Sequence, residues 1–126
     1  MKNKKQALSK SFYHAFRGIG EVLPKERNLK IHLMIMSLVI ISGIVFKISI
    51  IEWSICIILF GMVISLELVN TAIEKTVDIC MPEINEQARI AKDVSAGAVL
   101  IGAITAAIVG LIIFIPKGIQ FIQNIL

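Results

Sequence analysis

The sequence predicts an all-α membrane protein, an N-terminal amphipathic surface helix followed by three transmembrane helices. Hydrophobic residues make up 56% of the 126 residues and charged ones only 17%, which is too apolar for an ordinary soluble chain and long enough for a single domain. Three apolar runs, taken with their flanks, reach the length needed to cross ~30 Å of hydrocarbon. Eight of the thirteen Lys and Arg residues precede position 31, immediately before the first run. With a net charge of +4, that asymmetry reads as a cytoplasmic anchor on anionic membrane lipids and not as a nucleic-acid surface.

Residues 1–7, with Lys2, Lys4 and Lys5, read as a basic tail against lipid headgroups. Over about 8–23, Leu8, Phe12, Ala15, Phe16, Ile19 and Leu23 follow helical spacing while Lys10, His14, Arg17 and Glu21 take other faces. That pattern predicts a helix lying in the interface. Gly18 and Gly20 lack the preceding strand and the remaining glycines of a phosphate loop, so a Rossmann or P-loop reading is set aside. Because the first apolar run starts near Ile31, behind a charged region and with no small-residue cleavage pattern, no removable signal peptide is expected.

Pro24 suits the first turn of a new helix, and the first span is placed at about 29–47, with Lys30 and Lys47 reaching outward from its ends. A short external turn follows. The second span, about 53–78, opens on Trp53 as an interfacial anchor. Pro82 and the polar residues around it break the pattern into a cytoplasmic loop. The third span, about 94–116, is free of charge, and Ala98, Gly102, Ala106 and Gly110 form a smooth stripe for close helix packing. Cys56 and Cys80 have no paired spacing and read as structural residues. No repeat or linker divides the chain, so it is expected to form one domain.

The second span carries acids where an apolar segment would be expected to continue. Glu67, Asn70, Thr71, Glu74 and Asp78 fall on one stripe of a helix turning about 100° per residue. A carboxylate within a bilayer costs about 2.5 to 3.5 kcal/mol on insertion scales, so acids there point to function. With Glu26, Glu83, Glu86 and Asp93, these acids cluster at the cytoplasmic boundary. Such hard oxygen donors suit Mg²⁺, which binds through one or two carboxylates plus substrate phosphates. Arg89 and Lys92 are placed to hold phosphates. Glu67, the most recessed acid, is placed to take a proton from a hydroxyl whose hydrocarbon tail lies in lipid. Together these parts point to phosphoryl transfer from a soluble nucleotide to a lipid alcohol.

The motif Glu67-x-x-Asn70-Thr71-Ala72-Ile73-Glu74-x-x-Val77-Asp78, with Ala91-Lys92-Asp93 and Ala98-Val99-Leu100, resembles the prokaryotic diacylglycerol kinase and undecaprenol kinase family over roughly residues 12–116. The resemblance implies that Glu67 is the catalytic base and that Glu26 and Glu74 hold Mg²⁺. It also implies that Glu26, Asn70, Glu74, Glu83, Asn85, Lys92 and Asp93 line the site for ATP, and that the chain works as a homotrimer in a bacterial plasma membrane. The stretch Glu26-x-Asn28-x-Lys30-Ile31-His32 is similar to the undecaprenol branch, which places Lys30 and His32 beside the lipid substrate. His32 is then either a substrate contact or a neutral histidine bonded to a headgroup or a backbone carbonyl. Undecaprenol is accordingly the expected acceptor. A diacylglycerol kinase and, more remotely, a non-enzymatic helical subunit are the alternatives.

Overall fold

The computed structural model describes residues 4–126, which form four α-helices: α1 (Lys4–Val22), α2 (Arg27–Val45), α3 (Ile50–Cys80) and α4 (Glu86–Ile125). Of the expected basic tail, residues 1–3 lie outside the described residues, and the chain is already helical from Lys4. Leu8, Phe12, Phe16 and Ile19 of α1 remain exposed, so the apolar face of this helix is not covered by the chain's own bundle. Helices α2, α3 and α4 are each long and apolar enough to cross a membrane.

Helix α3 is the centre of the bundle, packing extensively along α4, less against α2 and only slightly against α1. Two glycines allow these approaches. A Cβ on Gly43 would lie 2.7 Å from the Trp53 ring, and one on Gly102 would lie 2.7 Å from Leu66 Cδ1. Gly102 belongs to the small-residue stripe, while Gly43 seats Trp53 inside the protein as well as near its end.

The connection between α2 and α3 is specified atom by atom. Ile48 N–H donates to Gly43 O at 3.1 Å and Lys47 N–H to Ile44 O at 3.3 Å, the paired bonds of a Schellman C-cap. Lys47 takes the left-handed position, φ 53°. Ser49 then starts α3 through a capping box: its hydroxyl accepts from Glu52 N, and the Glu52 carboxylate accepts from Ser49 N at 2.7 Å. Helix α3 therefore begins at Ile50, before Trp53.

Two further boundaries differ from the sequence reading. Pro24 lies in the turn between α1 and α2, and helix α2 begins at Arg27 with Glu26 as its N-cap. Helix α4 starts at Glu86 and runs through Pro116 to Ile125, where the sequence reading ended the span. Pro116 removes one helical hydrogen bond and crowds the turn before it, and the apolar Ile119, Phe121, Ile122 and Ile125 sustain the helical pattern beyond it. With 40 residues, α4 is about 60 Å long at about 1.5 Å per residue, twice a bilayer's ~30 Å hydrocarbon core. Its charged first turns and its last turns therefore reach past that core.

Candidate active site

The acidic stripe of α3 is buried at one end and exposed at the other. Glu67, Asn70 and Thr71 are buried, Glu74 is half-buried and Asp78 is exposed. Each of four stripe residues has a defined partner. Glu67 Oε1 lies 3.0 Å from Nε2 of His32, which α2 presents from across the bundle. Ser95 of α4 donates its hydroxyl to Asn70 Oδ1 at 2.7 Å, and Asn70 Nδ2 donates to Glu74 Oε1 at 3.3 Å. Lys92 Nζ donates to Asp78 Oδ1 at 2.8 Å. These bonds form an interrupted relay that ties α2 to α3 through His32 and Glu67 and α3 to α4 through Ser95 with Asn70 and Lys92 with Asp78, and exposure rises along it from Glu67 to Asp78.

Ser95 is the site residue that the sequence reading missed, since it lies within the uncharged third span. Its signal was that Asn70, forced into an apolar helix, needs a partner on the neighbouring helix. The histidine was noticed, but its pairing with the Glu67 carboxylate was not. Neither Glu67 nor Glu74 is paired with a Lys or Arg among the described residues.

The remaining expected site residues are distributed around this relay. Glu26 is half-buried, and its side chain makes no cap hydrogen bond at the start of α2. Asn85 caps α4, with Oδ1 accepting from Gln87 N at 2.9 Å and Ala88 N at 3.1 Å. Arg89 is bonded to both Glu86 and Asp93 on the exposed side of the same helix, so a phosphate there would have to compete with two carboxylates. Glu83 is exposed in the loop and Lys30 is exposed on α2.

Among the described residues, no group of three or more His, Cys, Asp or Glu side chains converges as a ready metal cage. Glu26, free of a cap bond, and Glu74, held at one oxygen by Asn70, nevertheless fit the needs of Mg²⁺. That ion takes one or two protein carboxylates and completes its shell with phosphate and water.

Beside His32 a cleft of about 500 Å³ opens between α2, α3 and α4. Its walls are hydrocarbon, including Met36, Val39, Leu59, Phe60, Val63 and Phe114, and Ala103, Ala106 and Gly110 of α4 leave room within it. His32, Ser42 and Cys56 supply its only polar side-chain atoms. The arrangement can hold a hydrocarbon chain on one side of His32 and a hydrophilic ligand along the stripe on the other.

A polytopic helical membrane protein that carries a buried carboxylate between an apolar cleft and a polar, basic-rimmed surface has the architecture of an enzyme acting on a lipid. The chain belongs to the prokaryotic diacylglycerol kinase family, whose model matches residues 13–114. It is 46% identical over 116 residues to the undecaprenol kinase of Bacillus subtilis, covering 92% of this chain and 94% of that protein. It is also 36% identical over 107 residues to the diacylglycerol kinase of a Synechocystis species, covering 84% of this chain and 61% of that protein.

Proposed function

We propose that this chain transfers the terminal phosphoryl group of ATP to undecaprenol, in a reaction that depends on Mg²⁺. The observation that carries the proposal is the position of Glu67, buried and 3.0 Å from His32, which itself lines the hydrocarbon cleft. The His32–Glu67 pair thus stands between a place for a lipid tail and a polar stripe suited to a triphosphate. The 46% identity to an undecaprenol kinase over nearly the whole chain favours the prenyl alcohol. Diacylglycerol, named for the second relative, is the competing acceptor.

In this reading Glu67 is the general base for the alcohol, and Lys30 and His32 flank the lipid. Glu26 and Glu74 hold the metal, while Asn70, Glu83, Asn85, Lys92 and Asp93 line the nucleotide. When bound, Mg²⁺ supplies charge neutralisation at the phosphate oxygens. The chain's own part is positioning: Ser95 fixes Asn70, Asn70 fixes one oxygen of Glu74, and Lys92 is poised to exchange Asp78 for a phosphate. The basic residues ahead of α2 support a site on the cytoplasmic face of a bacterial plasma membrane. A homotrimer is the assembly proposed.

The test is a side-by-side assay of the purified protein on undecaprenol and diacylglycerol in mixed micelles with MgATP. Faster phosphorylation of undecaprenol is expected. Faster turnover of diacylglycerol would reverse the assignment, and no labelled lipid from either would end the kinase reading. Replacing Glu26 or Glu74 with Ala should weaken MgATP binding in a calorimetric titration; unchanged affinity in both would place the metal elsewhere.

A further inference from the structure

The cleft and the base do not meet directly. His32 lines the cleft, but Glu67 is not among its lining residues. The Glu67 side chain is only 4% exposed, whereas His32 is 18% exposed and lies 3.0 Å from it through Nε2. A hydroxyl carried in on a hydrocarbon chain lodged in this cleft therefore meets the imidazole before it meets the carboxylate. A neutral histidine has one N–H and one lone pair, and a hydrogen bond at one nitrogen decides which is which. With the Glu67 carboxylate accepting at Nε2, the N–H sits there and Nδ1 is the ring's acceptor.

We infer that His32 relays the proton of the lipid alcohol to Glu67. This inference rests on the kinase reading above and adds to it the residue that touches the hydroxyl. The alcohol O–H bond breaks as an N–H bond forms at Nδ1, and the Nε2 proton passes to Glu67 Oε1. The electron pair freed on the alcohol oxygen forms the new bond to phosphorus, and the pair of the breaking P–O bond leaves with the diphosphate end of ADP. The ring ends the step neutral, with its proton on the other nitrogen, and Glu67 ends it as a carboxylic acid. The proton returns to water through His32, the more exposed member of the pair. The arrangement shares with a hydroxyl–imidazole–carboxylate triad the orienting of the ring by the carboxylate, and differs from it in that the buried carboxylate here ends the step holding the proton.

The test uses the full chain reconstituted with MgATP and undecaprenol, comparing Glu67→Gln, His32→Gln and His32→Ala. His32→Gln keeps an N–H donor for Glu67 but cannot pass a proton, so kcat should fall by about 10² or more, the usual worth of a positioned acid or base. The KM values for both substrates should stay close to those of the unaltered protein. Added imidazole should restore part of the rate to His32→Ala and none to His32→Gln, whose amide fills the space. MgATP binding measured on each variant reports that it is folded. An inactive Glu67→Gln beside a fully active His32→Gln would overturn the relay and leave Glu67 as the direct base. A His32→Ala protein that binds MgATP but gains no rate from imidazole would overturn it as well. Activity retained by Glu67→Gln would instead remove the base on which the kinase mechanism above depends.

Discussion

The two halves of this bundle are held together by different physics. Near the α2–α3 turn, the buried cluster of Ile48, Cys56 and Ile113 is packed by Phe46, Trp53, Phe60 and Phe114, and Phe46 lies 5.3 Å from the Phe121 ring centroid. In the half toward α1, the buried residues of α3 and α4 include Glu67, Asn70, Thr71 and Ser95. Lipid tails are as apolar as the protein's own side chains, so burying hydrocarbon gives little net drive for helices to associate in a bilayer. Close packing and interhelical hydrogen bonds take its place. The first half uses steric fit and the second uses directional bonds. That second half can fix the positions of reactive groups because each bond has a preferred distance and angle.

The sharpest test of this contrast replaces a polar group of the second half by its isostere. Glu67→Gln keeps the volume and an acceptor oxygen opposite His32 while removing the base, so turnover should drop by about 10²- to 10⁴-fold. Thermal unfolding and MgATP affinity should change little. A variant close to the normal rate would refute the role given to Glu67.

A comparable insult to the first half should damage stability instead. Adding a methyl at Gly43 puts it 2.7 Å from the Trp53 ring, and overpacking of this kind costs about 1–3 kcal/mol. The Gly43→Ala protein should unfold at lower temperature, with its residual folded fraction showing normal specific activity. Reduced activity at unchanged stability would mean that the two halves are not separable in this way.

An effect of similar size is expected where the polar half meets α4. Ser95→Ala removes the donor to Asn70 Oδ1 and leaves that oxygen buried, a loss of about 1–3 kcal/mol if it stays unsatisfied. Because Asn70 also holds Glu74, the KM for MgATP should rise together with the loss of stability. A shift in stability alone would confine Ser95 to a packing role.

The contrast also governs what the sequence could reveal. The surface helix and three spans were legible because composition and helical period act within one element, and the stripe from Glu67 to Asp78 was legible for the same reason. Pairings between helices were not. His32 and Glu67 are 35 residues apart, and their contact depends on how α2 is rotated and shifted along α3, which neither helix's own period records. The sequence reading bounded the third span at Pro116 and did not register that the helix itself continues to Ile125, because a proline removes one helical hydrogen bond and crowds the preceding turn, and the packing that accommodates it is not written in the local pattern.

The gentlest test lies at the turn that joins α2 to α3 in the apolar half. Lys47 occupies the left-handed position of the C-cap at φ 53°, a conformation that costs a non-glycine residue roughly 1–2 kcal/mol through its Cβ. Glycine adopts it freely but loses more conformational entropy on folding, which offsets part of the gain. Lys47→Gly should therefore stabilise the protein by no more than about 1 kcal/mol, read as a small rise in unfolding temperature, with kinase turnover unchanged because the turn is at the end of the bundle away from Glu67. A fall in stability would mean that the lysine side chain does more at this membrane boundary than its backbone conformation costs, through its reach to the polar surface.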